Sequence, residues 1–98
     1  MTLALAFKPE ALDELEEAAA WYEARRPGLG MEFLAEIERL NRLIRDHPEA
    51  CPIWRVGYPY RRAVARRFPY VLFYLVEDRV VVMAVAHARR EPGYWLGR

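Results

Sequence analysis

The hydrophobic pattern of this chain changes period at Pro48, and this change constrains the fold more than any other feature. Before it, apolar residues recur every three or four positions in two segments without internal proline, the spacing of a helix with one buried face. After it, three segments rich in Val, Tyr and Phe follow one another, which is typical of β-strands. The sequence therefore predicts a helical first half and a β-sheet second half.

Two helices are predicted, over residues 10–25 and about 31–46. Pro27 and two glycines separate them, because proline disfavours helix at the residue before it and glycine supplies unusual dihedral angles. The helices form a tight hairpin in this interpretation, and the carboxylates of the first form a solvated face. The residues expected to face the core are Leu12, Leu15, Ala19 and Tyr22 in the first helix and Phe33, Ile37, Leu40 and Ile44 in the second.

The strands expected around this hairpin are one short segment before it and three after it. Short connections between the last three predict an antiparallel meander. The order is then β-α-α-β-β-β in a single domain of residues 1–98, a two-layer α+β fold with helices on one face of a small sheet. The predicted strands cover residues 2–7, 61–67, 69–77 and 79–86.

Charge is distributed unevenly along the chain, although the net charge is only +1. Residues 10–49 hold eleven acidic residues against five arginines, and residues 50–98 hold nine arginines against three acidic residues. Strand alternation places Arg62 and Arg66 on one face and Arg61 and Arg67 on the other. Such a basic surface suits phosphate or an acidic protein. The alternative is that these arginines pair with the acidic helices of their own domain.

Polar groups concentrate after the last strand, where His87 is followed by Arg89 and Arg90. A histidine can exchange protons near neutral pH, and adjacent arginines can stabilise a pentavalent phosphate, as metal-free RNA cleavage requires. The alternative is a histidine that only makes structural hydrogen bonds. Tyr94 and Trp95 either stack on bases or dock onto their own domain.

Several other chemistries are disfavoured by composition. The chain has no serine, and Thr2 is its single threonine, so hydroxyl nucleophiles are scarce. Cys51 is interpreted as a small buried residue, and two histidines with one cysteine give no metal-ligand spacing. No cofactor or metal is predicted. No apolar run approaches the roughly 20 residues that span a bilayer, so no membrane contact is expected. A single cysteine fits a reducing compartment, and a cytoplasmic location is expected.

These residues resemble the RelE/ParE superfamily of toxins, and the ParE-like members more closely. The resemblance covers almost the whole chain. It rests on the strings Ala18-Ala19-Ala20-Trp21-Tyr22-Glu23, Pro27-Gly28-Leu29-Gly30, Phe33-Leu34, His47-Pro48, Tyr60-Arg61-Arg62, Arg66-Arg67-Phe68-Pro69-Tyr70, Tyr74 and His87-Ala88-Arg89-Arg90-Glu91-Pro92-Gly93-Tyr94-Trp95, in that order.

The resemblance implies the toxin of a type II toxin-antitoxin system. It implies a cognate antitoxin that neutralises the toxin by binding it and that contacts operator DNA itself. ParE-like members poison DNA gyrase without a recognised active site, so the expected activity is non-enzymatic inhibition of gyrase. The expected target-binding residues are Arg61, Arg62, Arg66, Arg67, Arg89, Arg90 and Trp95.

The alternative activity is that of RelE-like members, which cleave messenger RNA on the ribosome with basic residues and a C-terminal tyrosine or histidine. The residues of this sequence that match such a set are Arg62, Arg66, His87, Arg89 and Tyr94. For the antitoxin, an exposed strand edge or a groove beside the helical hairpin is the expected docking place. Trp21, Trp54 and Tyr60 are the candidates to contact it, with core packing as their alternative role.

Overall fold

A computed structural model describes residues 2–98. The predicted order of elements is confirmed. The elements are β1 (Leu5–Phe7), α1 (Pro9–Arg25), α2 (Leu29–Asp46), β2 (Tyr60–Val64), β3 (Tyr70–Val76) and β4 (Val80–His87).

The sheet has four strands in the order β1-β4-β3-β2 and is mixed. Its three last strands form the predicted antiparallel meander. The short first strand adds to it, because Leu5 pairs with Val80 and Phe7 with Val82 in parallel register. This places β4 in the interior of the sheet, and nearly every residue of β4 is buried. A continuous apolar run is what a strand covered on both faces requires.

The helical hairpin closes through a carboxylate of α1. Glu23 accepts hydrogen bonds from the backbone N–H groups of Gly28 and Gly30 at distances of 2.9–3.1 Å, and so satisfies donors at the start of α2. Gly28 has a φ of +89°, which glycine adopts without strain. A Cβ on Gly30 would lie 2.7 Å from the carbonyl oxygen of Ala19, so only glycine permits this approach of the helices.

The buried face of α2 is the predicted one, since Phe33, Ile37, Leu40 and Ile44 are all buried. The predicted face of α1 is wrong at Leu12, which is 44% exposed. The residues of α1 that face the core are Ala11, Leu15, Ala18, Ala19 and Tyr22. An alanine-rich helix has a weak apolar periodicity, so the pattern of large apolar side chains alone does not fix which face is buried.

The strand predicted over residues 61–67 is shorter in the structure, where β2 ends at Val64. Beyond it, the chain turns away from the ladder, and Arg67 takes a φ of +69°. The backbone N–H of Arg66 donates to the carboxylate of Glu36 on α2. The face alternation predicted for four arginines therefore holds only within β2.

The two faces of the sheet are covered by different parts of the chain. We call the first the helix-covered face, where α1 and α2 pack on buried residues that include Leu72, Val82 and Val85. We call the second the tail-covered face, where the tail, residues 88–98, and the segment around Trp54 pack on the sheet. Its core is formed by Val81, Met83, Ala84 and Trp95, with Trp54, Tyr60, Phe73 and Tyr94 against it.

Candidate functional site

The tail is anchored by Trp95, whose side chain is fully buried. Its ring lies 4.9 Å from that of Phe73 in a stacked arrangement, 4.9 Å from Trp54 and 4.8 Å from Tyr60. Docking onto the chain's own domain is thus the role the structure gives Trp95. The prediction that Trp95 binds a target is wrong for this structure, because a side chain without exposed surface offers none to a partner. Cys51 is buried, as expected.

The tail is also tied to α1 by Glu14. Arg98 donates to both carboxylate oxygens of Glu14 at 2.7 and 3.0 Å, the Tyr94 hydroxyl donates at 2.6 Å, and the backbone N–H of Val85 at 3.1 Å. Burial raises the pKa of Glu14, but these hydrogen bonds outweigh it and leave the pKa below its ordinary value. The prediction that the α1 carboxylates form a solvated face is wrong at Glu14, which the tail partly buries. The sequence around Glu14 does not distinguish it from its exposed neighbours, so this burial could not be predicted.

A depression of about 420 Å³ opens where the tail meets β2 and β3. We call it the tail-side depression. Arg62 reaches it because it pairs with Phe73 across the strands, and directly opposed residues share a face. The residues that matter most in its lining are Trp54, Arg55, Arg62, Phe73, His87 and Arg90.

Two of the arginines in this lining lie against aromatic rings. The guanidinium carbon of Arg55 is 4.5 Å from the ring centroid of Trp54, and that of Arg90 is 3.8 Å from Tyr94. Such cation–π contacts hold a guanidinium in place while leaving its N–H groups free to donate. The depression thus combines positioned positive charge with aromatic surface.

The alternative that the arginines of β2 and the following loop pair with the acidic helices holds for one of them, Arg67. Arg67 forms a 2.7 Å salt bridge with Glu32, which lowers the pKa of that carboxyl, with Arg26 adding to the effect. Arg61 donates to the carbonyl oxygens of Glu49 and Cys51. Across residues 2–98, seven exposed arginines have no carboxylate within salt-bridge distance: Arg25, Arg55, Arg62, Arg66, Arg79, Arg89 and Arg90.

The five residues that match a RelE-like ribonuclease are not gathered in one place. Arg62, His87 and Tyr94 line the tail-side depression, whereas Arg66, in the loop after β2, and Arg89, in the tail, do not. His87 accepts a hydrogen bond from the backbone N–H of Arg89 at Nδ1, a structural contact. Burial and the hydrogen bond to Glu14 raise the pKa of Tyr94, which disfavours proton exchange at its hydroxyl.

The three aromatic residues predicted to bind an antitoxin also lie apart. Trp21 is 51% exposed on α1 and borders a cleft of about 520 Å³ between α1 and the ends of β3 and β4, the helix-side cleft. Trp54 and Tyr60 pack against Trp95 on the tail-covered face, so core packing is at least part of their role. A single antitoxin segment at the helix-side cleft would reach Trp21 without the other two.

The helix-side cleft has apolar walls and charged ends. Ala18, Trp21 and Tyr70 supply apolar surface, Glu17 lies on the α1 side, and Arg90 lies at the sheet end. The guanidinium carbon of Arg25 lies 4.1 Å from the Trp21 ring, and covers part of it. Exposed tryptophan beside apolar residues is typical of surfaces that bind another protein.

Over the described part of the chain, no helix is long and apolar enough to cross a membrane. Within residues 2–98, no three His, Cys, Asp or Glu side chains are placed to hold a metal ion.

Comparisons with known proteins agree with this architecture. The sequence profile of the ParE toxin of the type II toxin-antitoxin system parDE matches residues 5–92. No curated protein sequence matches the chain. Among solved structures, a chain of the chromosomal ParDE toxin-antitoxin system from P. aeruginosa has the same fold, with a TM-score of 0.76 and 11% sequence identity. The superposition covers 88% of this chain and 96% of that one. The profile match spans most of the sequence, and the chain therefore belongs to the ParE toxin family of type II toxin-antitoxin systems.

Proposed function

We propose that this chain inhibits DNA gyrase by binding it and that a cognate antitoxin neutralises the chain by binding it in turn. The chain belongs to the ParE family, and one observation carries the proposal. Several exposed arginines have no carboxylate partner among residues 2–98. Positive charge that the domain does not neutralise is available to an acidic partner and accelerates its approach.

A backbone hydrogen bond holds together the two segments that carry this basic surface, the loop after β2 and the tail. The N–H of Ala88 donates to the carbonyl oxygen of Pro69 at 2.7 Å, which joins the start of the tail to the loop that follows β2. Arg66 lies in that loop and Arg89 in the tail, and both are exposed. Arg66 and Arg89, with Arg62 and Arg90 beside them, are the proposed gyrase-binding residues.

Inhibition of gyrase supercoiling by the purified chain tests the proposal. We expect the double variant Arg66→Glu with Arg89→Glu to raise the concentration needed for half-inhibition by more than about tenfold, because a reversed charge repels an acidic surface. Arg42→Glu is the matched control, since Arg42 is exposed on α2 and its salt bridge is with Glu38, one turn away at 3.6 Å. Supercoiling that continues in excess toxin would contradict the proposal.

We assign antitoxin binding to the helix-side cleft, with an apolar side chain of the antitoxin against Trp21. Trp21→Ala is expected to weaken the toxin-antitoxin complex by about 2 kcal/mol or more, which is common for an exposed interface tryptophan. Met31→Ala is the control, because Met31 is 69% exposed on the neighbouring helix. Titration calorimetry measures both. Equal affinities of Trp21→Ala and the parent chain would place the antitoxin elsewhere.

A ribosome-dependent endoribonuclease is the second candidate, and one observation favours it: Arg62 and His87 line the same depression. The double variant His87→Ala with Arg89→Ala would then abolish the cleavage of messages. Primer extension on abundant messages reads the result directly. Growth arrest with intact messages supports the gyrase proposal, and new cleavage ends support the ribonuclease.

A further inference from the structure

We propose that a turn between α2 and β2 is a second target-binding element, in which the side chain of Val56 enters an apolar pocket with an acidic rim on the protein that the toxin inhibits. The turn consists of residues 55–58, and we call it the exposed turn. The inference rests on the proposed function for the identity of that protein, gyrase. It adds a contact to those of the arginines in the loop after β2 and in the tail.

The exposed turn presents apolar surface that the domain does not use. Val56 at its tip is 100% exposed. Ile53 and Tyr58 on either side are 42% and 43% exposed, so apolar surface continues from the tip towards the base of the turn. Isolated exposed apolar residues are ordinary, whereas neighbouring ones on a single protrusion are typical of a contact with another protein.

Backbone hydrogen bonds hold the exposed turn in one shape. The N–H of Tyr58 donates to the carbonyl oxygen of Arg55 at 3.1 Å, and the N–H of Trp54 donates to that of Tyr60 at 2.8 Å. Gly57 has a φ of +89°, which a type II turn requires at its third position. An element that already has its bound shape loses less conformational entropy when it binds.

Aromatic side chains attach the base of the exposed turn to the tail-covered face. The ring centroid of Trp54 lies 5.2 Å from that of Tyr58 and 4.9 Å from that of the buried Trp95. The guanidinium carbon of Arg55 lies 4.5 Å from the Trp54 ring. The turn is therefore fixed at its base, while the side chain at its tip remains free to enter a pocket.

The charge around the exposed turn indicates the chemistry of the partner. The sequence has no acidic residue from Ala50 to Val76, and Arg55 has no carboxylate within salt-bridge distance among residues 2–98. An apolar tip beside an unpaired guanidinium is complementary to an apolar pocket that has carboxylates at its rim. A lipid surface is a poorer fit, because membrane-bound elements bury a long apolar face.

Surface plasmon resonance of the full chain on immobilised gyrase, without DNA, tests the inference. Val56→Asp is expected to lower the affinity at least about tenfold, because the variant places a carboxylate in an apolar pocket and opposite an acidic rim. Met31→Asp is the matched control, since Met31 is 69% exposed on α2. This control is expected to stay within about twofold of the parent chain.

The fold of Val56→Asp is checked by its melting temperature and by its affinity for the antitoxin. Both are expected to equal those of the parent chain, because the Val56 side chain is fully exposed and lies outside the helix-side cleft. An equal loss of gyrase and antitoxin affinity would overturn the inference, since the exposed turn would then not be specific for the target.

Milder variants separate apolar contact from shape. Val56→Thr keeps a branched side chain of similar size but adds a hydroxyl, and is expected to lower gyrase affinity about fivefold or more. Val56→Ile keeps the apolar tip and is expected to stay within about threefold of the parent chain. Gly57→Ala strains the turn and is expected to lower affinity about two- to fivefold. Equal affinities of Val56→Thr and Val56→Ile would contradict an apolar pocket.

The remaining outcomes distinguish this inference from the proposed function. Parent-like gyrase affinity of Val56→Asp, or binding of the parent chain only when DNA is present, overturns the inference alone. A parent chain that does not bind gyrase overturns the proposed function, and growth arrest on expression then decides the exposed turn. Arrest that persists in Val56→Asp overturns the inference, and arrest lost only in that variant supports the turn on another protein target. A parent chain that neither binds gyrase nor arrests growth overturns both.

Discussion

The helix-covered face and the tail-covered face bury apolar surface of the same sheet by different means. On the helix-covered face, two helices with many internal hydrogen bonds place aliphatic and aromatic residues at regular intervals along the sheet. On the tail-covered face, an irregular segment of eleven residues relies on one buried indole and on the hydrogen bonds of Glu14.

This difference separates stability from binding within one small domain. A helix pair that packs cooperatively with the sheet unfolds with it, whereas a tail attached at a few points can detach by itself. The tail also carries Arg89 and Arg90 and forms one wall of the tail-side depression. We therefore expect substitutions on the first face to affect the whole fold and those on the second to affect the proposed binding surface first.

The largest effect is expected from Phe33→Ala on the helix-covered face. Phe33 is fully buried, and its ring lies 5.2 Å from Tyr22, 5.3 Å from Phe68 and 5.1 Å from Tyr70. Truncation of a buried phenylalanine costs about 3–5 kcal/mol in the free energy of unfolding. Urea denaturation measures the loss. Met31→Ala serves as the exposed control and is expected to change stability by less than about 0.5 kcal/mol.

A smaller loss, about 2–3 kcal/mol, is expected from Trp95→Ala on the tail-covered face. The loss is limited because the tail can detach and leave the helix-covered face folded. Hydrogen exchange should then show loss of protection in residues 88–98 and retained protection in β4. Equal loss of protection in β4 would mean that the two faces do not separate, which would break the comparison.

Next in size is the effect of Glu14→Gln, expected to cost about 1–2 kcal/mol because the charge-assisted hydrogen bonds to the tail weaken. The folded-state pKa of Glu14 lies below its ordinary value of 4.5, so the folded protein binds fewer protons than the unfolded chain near that pH. The stability that Glu14 contributes is thus complete above pH 4.5 and is lost as the pH falls through the folded-state pKa.

The pH dependence of Glu14 gives a second readout of the same substitution. The difference in unfolding free energy between the parent chain and Glu14→Gln should shrink on acidification from about pH 6 to about pH 3. Glu17→Gln is the control, since Glu17 is exposed on the same helix. A difference that stays constant over this range would show that the charge of Glu14 does not hold the tail.

The smallest effect is expected from Arg67→Ala, which removes the 2.7 Å salt bridge with Glu32 at the rim of the helix-covered face. The two side chains are 67% and 38% exposed, and exposed pairs contribute little to stability because water and salt screen their charges. Thermal unfolding at low and high salt should give nearly the same melting temperature for variant and parent. A loss comparable to that of Glu14→Gln would show that the rim matters as much as the tail anchor.

The parts of the structure that sequence predicted well are those encoded by local patterns. The spacing of Phe33, Ile37, Leu40 and Ile44 predicted the buried face of α2, because a helix repeats its environment every 3.6 residues. The meander followed from short connections between strands. The concentration of arginine after Pro48 predicted a basic region, although not which of its members remain unpaired.

Other features depended on contacts that no local pattern encodes. Leu12 was predicted to be buried, and Trp95 was predicted either to bind a target or to dock onto its own domain, because each was judged by residue type and near neighbours. Their exposure depends on how α1 is rotated on β4 and on whether the tail folds back. In the same way, no local pattern singles out Arg55, and the tail-side depression exists only once the tail is in place.

The sequence by itself determined the succession of helices and strands, the buried face of α2 and the division into an acidic and a basic half. Only the tertiary structure decided that β1 lies parallel to β4, that Glu14 binds Arg98 across 84 positions of the chain, and that Trp95 closes the second face. Periodicity and turn residues act over a few positions, whereas the partner of a buried charge or indole is selected by packing across the whole domain.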